Sequence, residues 1–435
     1  MSAGGAGVRR IEPMHGELHA VVDDIPGSKS IANRALVCAA LADGTTRLRN
    51  VPAGDDTVAM VRCLEQLGAG TASPDDGTTL DVGGTGGSLR AGPAVLHAGL
   101  AGTTSRFVTA LAALGPGPYT VDGHPPLRAR PMGPLHDALV ALGATLDAGE
   151  CPGHLPVTVS GGILAAGRVE LPGDVSSQFI TALMLIGPYL ANGLRIDVTT
   201  PMVSRPYLEI TRSVMEAFGV PDVKIGDGHI EVAPGRYVAT DYRIEPDASS
   251  ASYVFAAAAI CGGEVTVQGL GDAALQGDAA FVDVLASMGC EVVRSSSATT
   301  VRRSATGALH GVDVDMSAMS DTVPTLAVVA PFAGEPTRMT GIGFIRRKES
   351  DRIGDVVTEL GRCGITAHEE PDGMIVEPSA PTGGRVATHH DHRLAMAFGV
   401  LGLRVDGIEV EDPGVVSKSW PTFWSRLDGL RIGTG

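Results

Sequence analysis

Apolar residues along the chain fall into helix-patterned runs that are punctuated in a regular way. Five runs end in a hydrophobe–Gly–small apolar triplet: Leu67-Gly68-Ala69, Leu142-Gly143-Ala144, Phe218-Gly219-Val220, Met288-Gly289-Cys290 and Cys363-Gly364-Ile365. These glycines stand 75, 76, 70 and 75 residues apart. Glycine one step past a helix end suits the left-handed conformation that other residues adopt only with strain. Each triplet therefore predicts a helix terminus, and Gly429 in Leu427-Asp428-Gly429-Leu430 is the expected sixth. After Gly219 and Gly364, short alternating runs flank Gly226-Asp227-Gly228 and Pro371-Asp372-Gly373. That pattern predicts β-hairpins.

A second series marks helix starts. Loops rich in Ser, Thr and Asp precede apolar runs at Gly27–Ser30, Gly102–Ser105, Asp174–Ser177, Asp247–Ser250, Ser317–Asp321 and His390–His392. With Ser28, Thr103, Ser176, Ser249, Ser320 and Asp391 as markers, the spacing is 75, 73, 73, 71 and 71. Each loop reads as a helix N-cap. Two interleaved six-member series predict six repeats of roughly 72 residues, each mixing strands and helices and ending in a hairpin. The period is too long for common solenoids, so two lobes of three repeats are the simplest packing of an α/β (α+β) chain. Six helix N-termini would also supply partial positive charge.

Composition narrows the function. The 435 residues are 44% hydrophobic but only 4% aromatic, so the cores must be built from Ala, Val and Leu. Apolar stretches such as Thr181–Leu194 are interrupted by Gly187, Pro188, Asn192 and Gly193. They fall short of the roughly 18 continuous residues of a membrane span. The N-terminal sequence has no apolar core of a secretory signal. Six scattered cysteines without a CxxC pair suggest free thiols in a reducing cytoplasm. A net charge of −16 opposes nucleic-acid binding. A few cations focused in one cleft can still hold small anions.

Those cations sit beside the cap loops. Lys29 and Arg34 flank the first, Arg106 follows the second, and Arg130 stands before Pro131. Gly27-Ser28-Lys29-Ser30 is not a nucleotide P-loop, which would need glycines where Ser28 and Asp23 stand. Lys348 and Arg352 are spaced i, i+4 and would share a face if their segment were helical. Arg393 opens the sixth cap, and Lys418 precedes Ser419-Trp420. Any one of these alone reads first as a solvated surface cation; their recurrence at cap loops points to an anion. Asp321 and Glu349 lie among them, as catalytic carboxylates or as structural ion pairs. His389, His390 and His392 cluster with Asp391 but lack the spacing of a metal site, so no metal is expected.

The motifs Pro26–Arg34, Leu100–Arg106, Arg128–Pro131, Ser176-Ser177-Gln178, Ser204–Tyr207, Asp321, Lys348–Arg352, Asp391–Arg393 and Lys418 occur in order across almost the whole chain. In this the sequence closely resembles the 5-enolpyruvylshikimate-3-phosphate synthase family, the 3-phosphoshikimate 1-carboxyvinyltransferases. The resemblance implies two lobes of three βαβαββ repeats, an inverse α/β barrel-like fold with pseudo-threefold symmetry. It implies residues 1–26 plus 245–435 as one lobe and 27–244 as the other, with a hinge near 26 and 244–246 that closes on ligand. It also implies transfer of the enolpyruvyl group of phosphoenolpyruvate to the 5-hydroxyl of shikimate 3-phosphate, releasing phosphate, on the shikimate pathway to chorismate and the aromatic amino acids.

Carried over by position, the resemblance puts Lys29, Gly102, Arg130, Gln178, Arg352, Arg393 and Lys418 on phosphoenolpyruvate. It puts Lys29, Ser30, Arg34, Ser176, Ser177, Gln178, Ser204, Asp321 and Lys348 on shikimate 3-phosphate. Asp321 would be the base and Glu349 the proton donor, with Lys29 or Lys418 assisting phosphate departure. No organic cofactor or metal is implied, and a cytoplasmic monomer inhibited by glyphosate is expected. Leu100 and Phe344 stand where relatives often carry Asn. Arg106 reads equally as structural. The sister enzyme that uses UDP-N-acetylglucosamine usually shows Lys-Asn after the first cap glycine and a loop cysteine. Lys29-Ser30 and a cysteine-free Leu100–Pro131 argue against it. An inactive scaffold of the same fold is countered by Lys29, Asp321, Glu349 and Lys418 standing together.

Overall fold

The structure is a computed structural model that describes residues 7–74, 77–162, 164, 167–202, 205–304 and 306–432. The chain forms two compact lobes, Gly27–Glu245 (the N-terminal lobe) and Met1–Pro26 with Pro246–Gly435 (the C-terminal lobe). Each has its own apolar core.

Every repeat contributes an inner and an outer helix. In chain order these are α1 (Lys29–Leu41) and α2 (Asp55–Gln66), α3 (Gly102–Ala112) and α4 (Gly133–Ala141), α5 (Ser177–Ile186) and α6 (Arg205–Ala217). The C-terminal lobe adds α7 (Ala248–Cys261) and α8 (Phe281–Ser287), α9 (Val323–Val329) and α10 (Gly354–Arg362), α11 (His392–Gly402) and α12 (Phe423–Ile432). The odd-numbered helices are mostly apolar and buried over most of their length, and α7, α9 and α11 are buried along their whole length. A helix without a polar face has to be enclosed. Accordingly α1, α3 and α5 pack on one another in one lobe, and α7, α9 and α11 in the other. Outer helices keep a wet face: α10 buries only Val356, Glu359 and Leu360.

Six small sheets cover these helices. In the third repeat Arg168–Leu171 runs parallel to Leu194–Val198, with α5 as the crossover. Leu194–Val198 pairs antiparallel with His229–Val232, and that strand with Val223–Ile225. Val169 and Leu171 face inward while Arg168 and Glu170 face solvent, the period-two alternation of a half-buried strand. The second and fifth repeats have the same order.

The other three sheets take a strand from a distant part of the chain. Asp241–Arg243, at the end of the third repeat, supplies the leading strand of the first, parallel to Thr45–Arg49. Leu18–Val22 supplies that of the fourth, parallel to Gly263–Gln268. In the sixth repeat Glu409–Glu411 pairs with Arg385–Val386 and with the N-terminal Val8–Arg10. The sixth repeat thus has no hairpin of its own, contrary to the sequence expectation. Gly429 likewise lies inside α12 and closes no helix. The other five triplet glycines, Gly68, Gly143, Gly219, Gly289 and Gly364, all have φ between 72° and 110°.

The caps are less uniform than their spacing. Ser176, Asp247 and Asp391 accept a backbone N–H through the side chain. Ser28 caps α1 by backbone conformation alone, and Ala101 stands at the cap of α3.

Candidate active site

In the N-terminal lobe the cap loops of α1, α3 and α5 carry the expected residues. Lys29 opens α1, and its Nζ lies 3.1 Å from Oδ2 of Asp56, a buried carboxylate in the first turn of α2. Thr104 Oγ1 donates to the Asp56 carbonyl at 3.2 Å and so ties α3 to that turn. Gly102 opens α3 beside two guanidinium groups. A Cβ there would stand 2.5 Å from Arg106 Nη1 and 2.6 Å from Arg130 Nη1. Arg130 is half-buried, whereas neighbouring Arg128 is exposed and paired with Asp122 at 2.7 Å. At α5, Ser176 Oγ accepts from the Gln178 N–H at 3.3 Å and Ser177 is buried. The buried Oε1 of Gln178 accepts no hydrogen bond from the described residues. Ser204 lies outside the described residues.

Arg34, expected on shikimate 3-phosphate, is engaged within the N-terminal lobe. Its guanidinium donates to Thr211 Oγ1 at 2.8 Å, Thr181 Oγ1 at 3.3 Å, the Tyr207 carbonyl at 3.1 Å and the Ser30 carbonyl at 2.6 Å. Burial draws its pKa down to about 10, which leaves it charged at neutral pH. Arg34 ties α1 to α5 and α6, and so positions the loop that carries Lys29 and Ser30.

In the C-terminal lobe five charged side chains predicted from sequence converge. Arg352, 2% exposed, donates from Nη1 to Asp321 at 2.8 Å, from Nη2 to Glu349 at 2.8 Å and from Nε to Asp391 at 2.7 Å. Arg393 Nη2 lies 2.6 Å from the other Asp321 oxygen, and Lys418 Nζ lies 2.8 Å from the other Glu349 oxygen. Burial works to raise the Asp321 carboxyl, but Arg393, Lys348 and Arg352 overcome it and hold the group well below the usual carboxylate range. Arg352 was expected on phosphoenolpyruvate, yet here its donors are engaged by three carboxylates.

Local chain geometry explains the convergence. Asp321 sits in the turn Ser320–Thr322 that leads into α9. Arg393 follows Asp391, the N-cap of α11, and Lys418 ends the turn Pro413–Lys418. The Lys348–Arg352 segment is not helical, contrary to the i, i+4 reading. The Asp351 carboxylate accepts from the Ile353 and Gly354 N–H groups, and α10 begins only there. Lys348 Nζ instead lies 5.7 Å from the Phe344 ring centroid, a cation–π arrangement at one of the departures from the family pattern.

Four site residues were not assigned from sequence. Asp56 and Asp391 are the carboxylate partners of Lys29 and Arg352, and each sits at a helix start where an acid reads simply as a dipole partner. Arg106, set aside as ambiguous, has its guanidinium 5.4 Å from the Phe179 ring and beside Gly102. Asp278 is a buried carboxyl that accepts from Ser249 Oγ. The three histidines diverge. His389 Nε2 lies 2.7 Å from Glu359, His390 is exposed and His392 is buried. Among the described residues no group of three His, Cys, Asp or Glu side chains has a metal-binding arrangement.

The family model for EPSP synthase (3-phosphoshikimate 1-carboxyvinyltransferase) matches residues 12–427. The chain belongs to this family. The 3-phosphoshikimate 1-carboxyvinyltransferase of Nostoc punctiforme is 43% identical over 407 residues, 93% of this chain and 95% of that one. The enzyme of the same name from Syntrophobacter fumaroxidans is 40% identical over 426 residues, covering 97% and 99%. Among solved structures, EPSP synthase from Acinetobacter baumannii superposes with a TM-score of 0.82 at 26% identity, covering 97% of each chain. The enolpyruvyl transferase NikO from Streptomyces tendae shares the fold, with a TM-score of 0.77 at 18% identity over 98% of each chain. The EPSP synthase match spans both lobes and the motifs from Pro26 to Lys418.

Proposed function

We propose that this protein transfers the enolpyruvyl group of phosphoenolpyruvate to the 5-hydroxyl of shikimate 3-phosphate. The carrying observation is the pair of carboxylates in the C-terminal lobe, Asp321 and Glu349, bridged by Arg352 and each held by a second cation. Both substrates bear phosphate and carboxylate groups, which cations of this kind bind with charge-assisted hydrogen bonds worth about 1.5–3 kcal/mol each. The reading assigns phosphoenolpyruvate to Lys29, Gly102, Arg130, Gln178, Arg352, Arg393 and Lys418. It assigns shikimate 3-phosphate to Lys29, Ser30, Arg34, Ser176, Ser177, Gln178, Ser204, Asp321 and Lys348, with Arg34 also holding the first loop in place.

Asp321 takes the proton of the 5-hydroxyl as that oxygen attacks C2 of phosphoenolpyruvate. Glu349 delivers a proton to the methylene carbon, giving a tetrahedral intermediate. Loss of a proton from the new methyl group and cleavage of the C–O bond to phosphate then restore the double bond, with Lys29 or Lys418 stabilising the departing phosphate. The test is phosphate release from shikimate 3-phosphate and phosphoenolpyruvate, with UDP-N-acetylglucosamine as the rival acceptor. The expected result is release only with shikimate 3-phosphate, reduced about 10²-fold or more in Glu349→Gln. Release only with the nucleotide sugar would sink the assignment.

The reading extends to inhibition by glyphosate, an anion of similar charge, and to a cytoplasmic monomer. No helix among the described residues is long and apolar enough to cross a membrane. A methyl group at Gly102 would displace the Arg106 and Arg130 guanidinium ends. Gly102→Ala is expected to raise the glyphosate inhibition constant about tenfold or more, since it intrudes on two charged donors at once. Equal constants for variant and parent would count against the placement.

A further inference from the structure

Three of the cations assigned to phosphoenolpyruvate, Arg352, Arg393 and Lys418, are already occupied by the groups assigned to proton transfer. Asp321 Oδ1 accepts from Arg352 and Oδ2 from Arg393. Glu349 Oε1 accepts from Lys418 and Oε2 from Arg352. A carboxylate gripped by two guanidinium groups is a weak base. A carboxylate whose two oxygens both accept from cations carries no proton to deliver in that arrangement. Arg393 and Lys418, in turn, cannot give an incoming anion their full strength while they are shared.

We infer that Asp321 and Glu349 are resident counter-anions of the C-terminal lobe, and that phosphoenolpyruvate binds by exchanging for them at Arg352, Arg393 and Lys418. The exchange frees both carboxylates and sets a new negative charge beside them, and each change strengthens their hold on a proton. Binding and activation of the acid–base pair are then one event, and a proton is drawn from solvent as the anion enters. The third partner of Arg352 is of a different kind. Asp391 has no exposed side-chain surface and its carboxylate also accepts from the Arg393 N–H and Ser350 Oγ, whereas Asp321 and Glu349 are 17% and 16% exposed. Asp391 therefore keeps Arg352 in place while the other two let go. The groups facing the exchanging pair are Lys348, Arg352, Arg393 and Lys418 as cations and Asp278 as a further carboxyl; Asp247 and Tyr253 act on Arg393 from α7 and its cap.

This inference rests on the roles assigned to Asp321 and Glu349 above. Titration calorimetry of phosphoenolpyruvate into the full chain at neutral pH, in two buffers of different ionisation enthalpy, tests it. Inorganic phosphate serves as a second probe. The parent is expected to take up protons on binding. Glu349→Gln, which removes one competitor but keeps its shape, is expected to bind about tenfold tighter and to take up fewer protons. Asp321→Asn is expected to shift affinity in the same direction. Unchanged or weaker anion binding in both variants, the result of a merely positioning role, would overturn the exchange. Absence of linked proton uptake in the parent, or of binding by either anion, would overturn it too. Turnover separates the two ideas. A parent that turns over while its variants bind no tighter refutes the exchange alone. A parent that fails to turn over while its variants do bind tighter refutes the assigned reaction and leaves the exchange standing.

Discussion

Asp278 shows how far a single side chain can be moved from its ordinary chemistry. Burial, reinforced by the charge on Asp321, pushes its carboxyl up to about 7, while Arg393 and the Ser249 hydrogen bond pull the other way. Unfolded, the same group ionises near the usual carboxylate value of about 4. Between those values the folded chain keeps a proton that the unfolded chain has lost, so the contribution to stability falls as pH rises through that window and levels off above it. Asp278→Asn removes the ionisation and keeps an acceptor for Ser249. Urea unfolding at a series of pH values is expected to move in the variant's favour, relative to the parent, as pH rises from about 4.5 to about 7.5. A constant difference across that range would show that Asp278 is not held neutral. At this scale the sequence revealed which residues are charged but not whom they meet. Lys29, Asp321 and Arg393 stand at cap loops, and the family resemblance singles out Glu349 and Lys418 beside them. The contacts of Asp56, Asp278 and Asp391 could not be read, because a contact between distant elements leaves no local trace in the chain.

Elements were legible where the backbone itself constrains the residue. The five triplet glycines close helices with positive φ, as their spacing predicts. Gly219, at φ 86°, would bring a Cβ to 3.1 Å from the Val238 side chain. Gly219→Ala is expected to destabilise the protein by about 1–2 kcal/mol, the cost of a left-handed L-residue. Calorimetric unfolding checks it, and an unchanged transition would remove the cap from the argument. Legibility failed where a side chain outbid periodicity. The spacing of Lys348 and Arg352 suits a helix, yet the Asp351 carboxylate takes the Ile353 and Gly354 N–H groups at the start of α10, and the stretch before it is irregular. The irregular backbone lets Lys348 turn to Phe344 while Arg352 enters the carboxylate cluster.

On the scale of the molecule, six repeats follow from two periodic series, but the ownership of strands does not. A strand's partner is chosen by sheet completion, and a βαβαββ repeat whose leading strand lies elsewhere in the chain looks the same in its own sequence. Leu18–Val22 and Asp241–Arg243 each complete a sheet far from where they are written, and Val8–Arg10 stands in for a missing hairpin. This arrangement has a consequence during synthesis on the ribosome. The N-terminal lobe cannot finish its first sheet until residue 243 has emerged. Leu18–Val22 waits for Gly263–Gln268, and Val8–Arg10 for Glu409–Glu411. Leu18–Val22 thus stays unpaired until residue 268 has been made, and Val8–Arg10 until residue 411 has. Until then both are unpaired edges, which makes these two strands points where the nascent chain needs protection from aggregation.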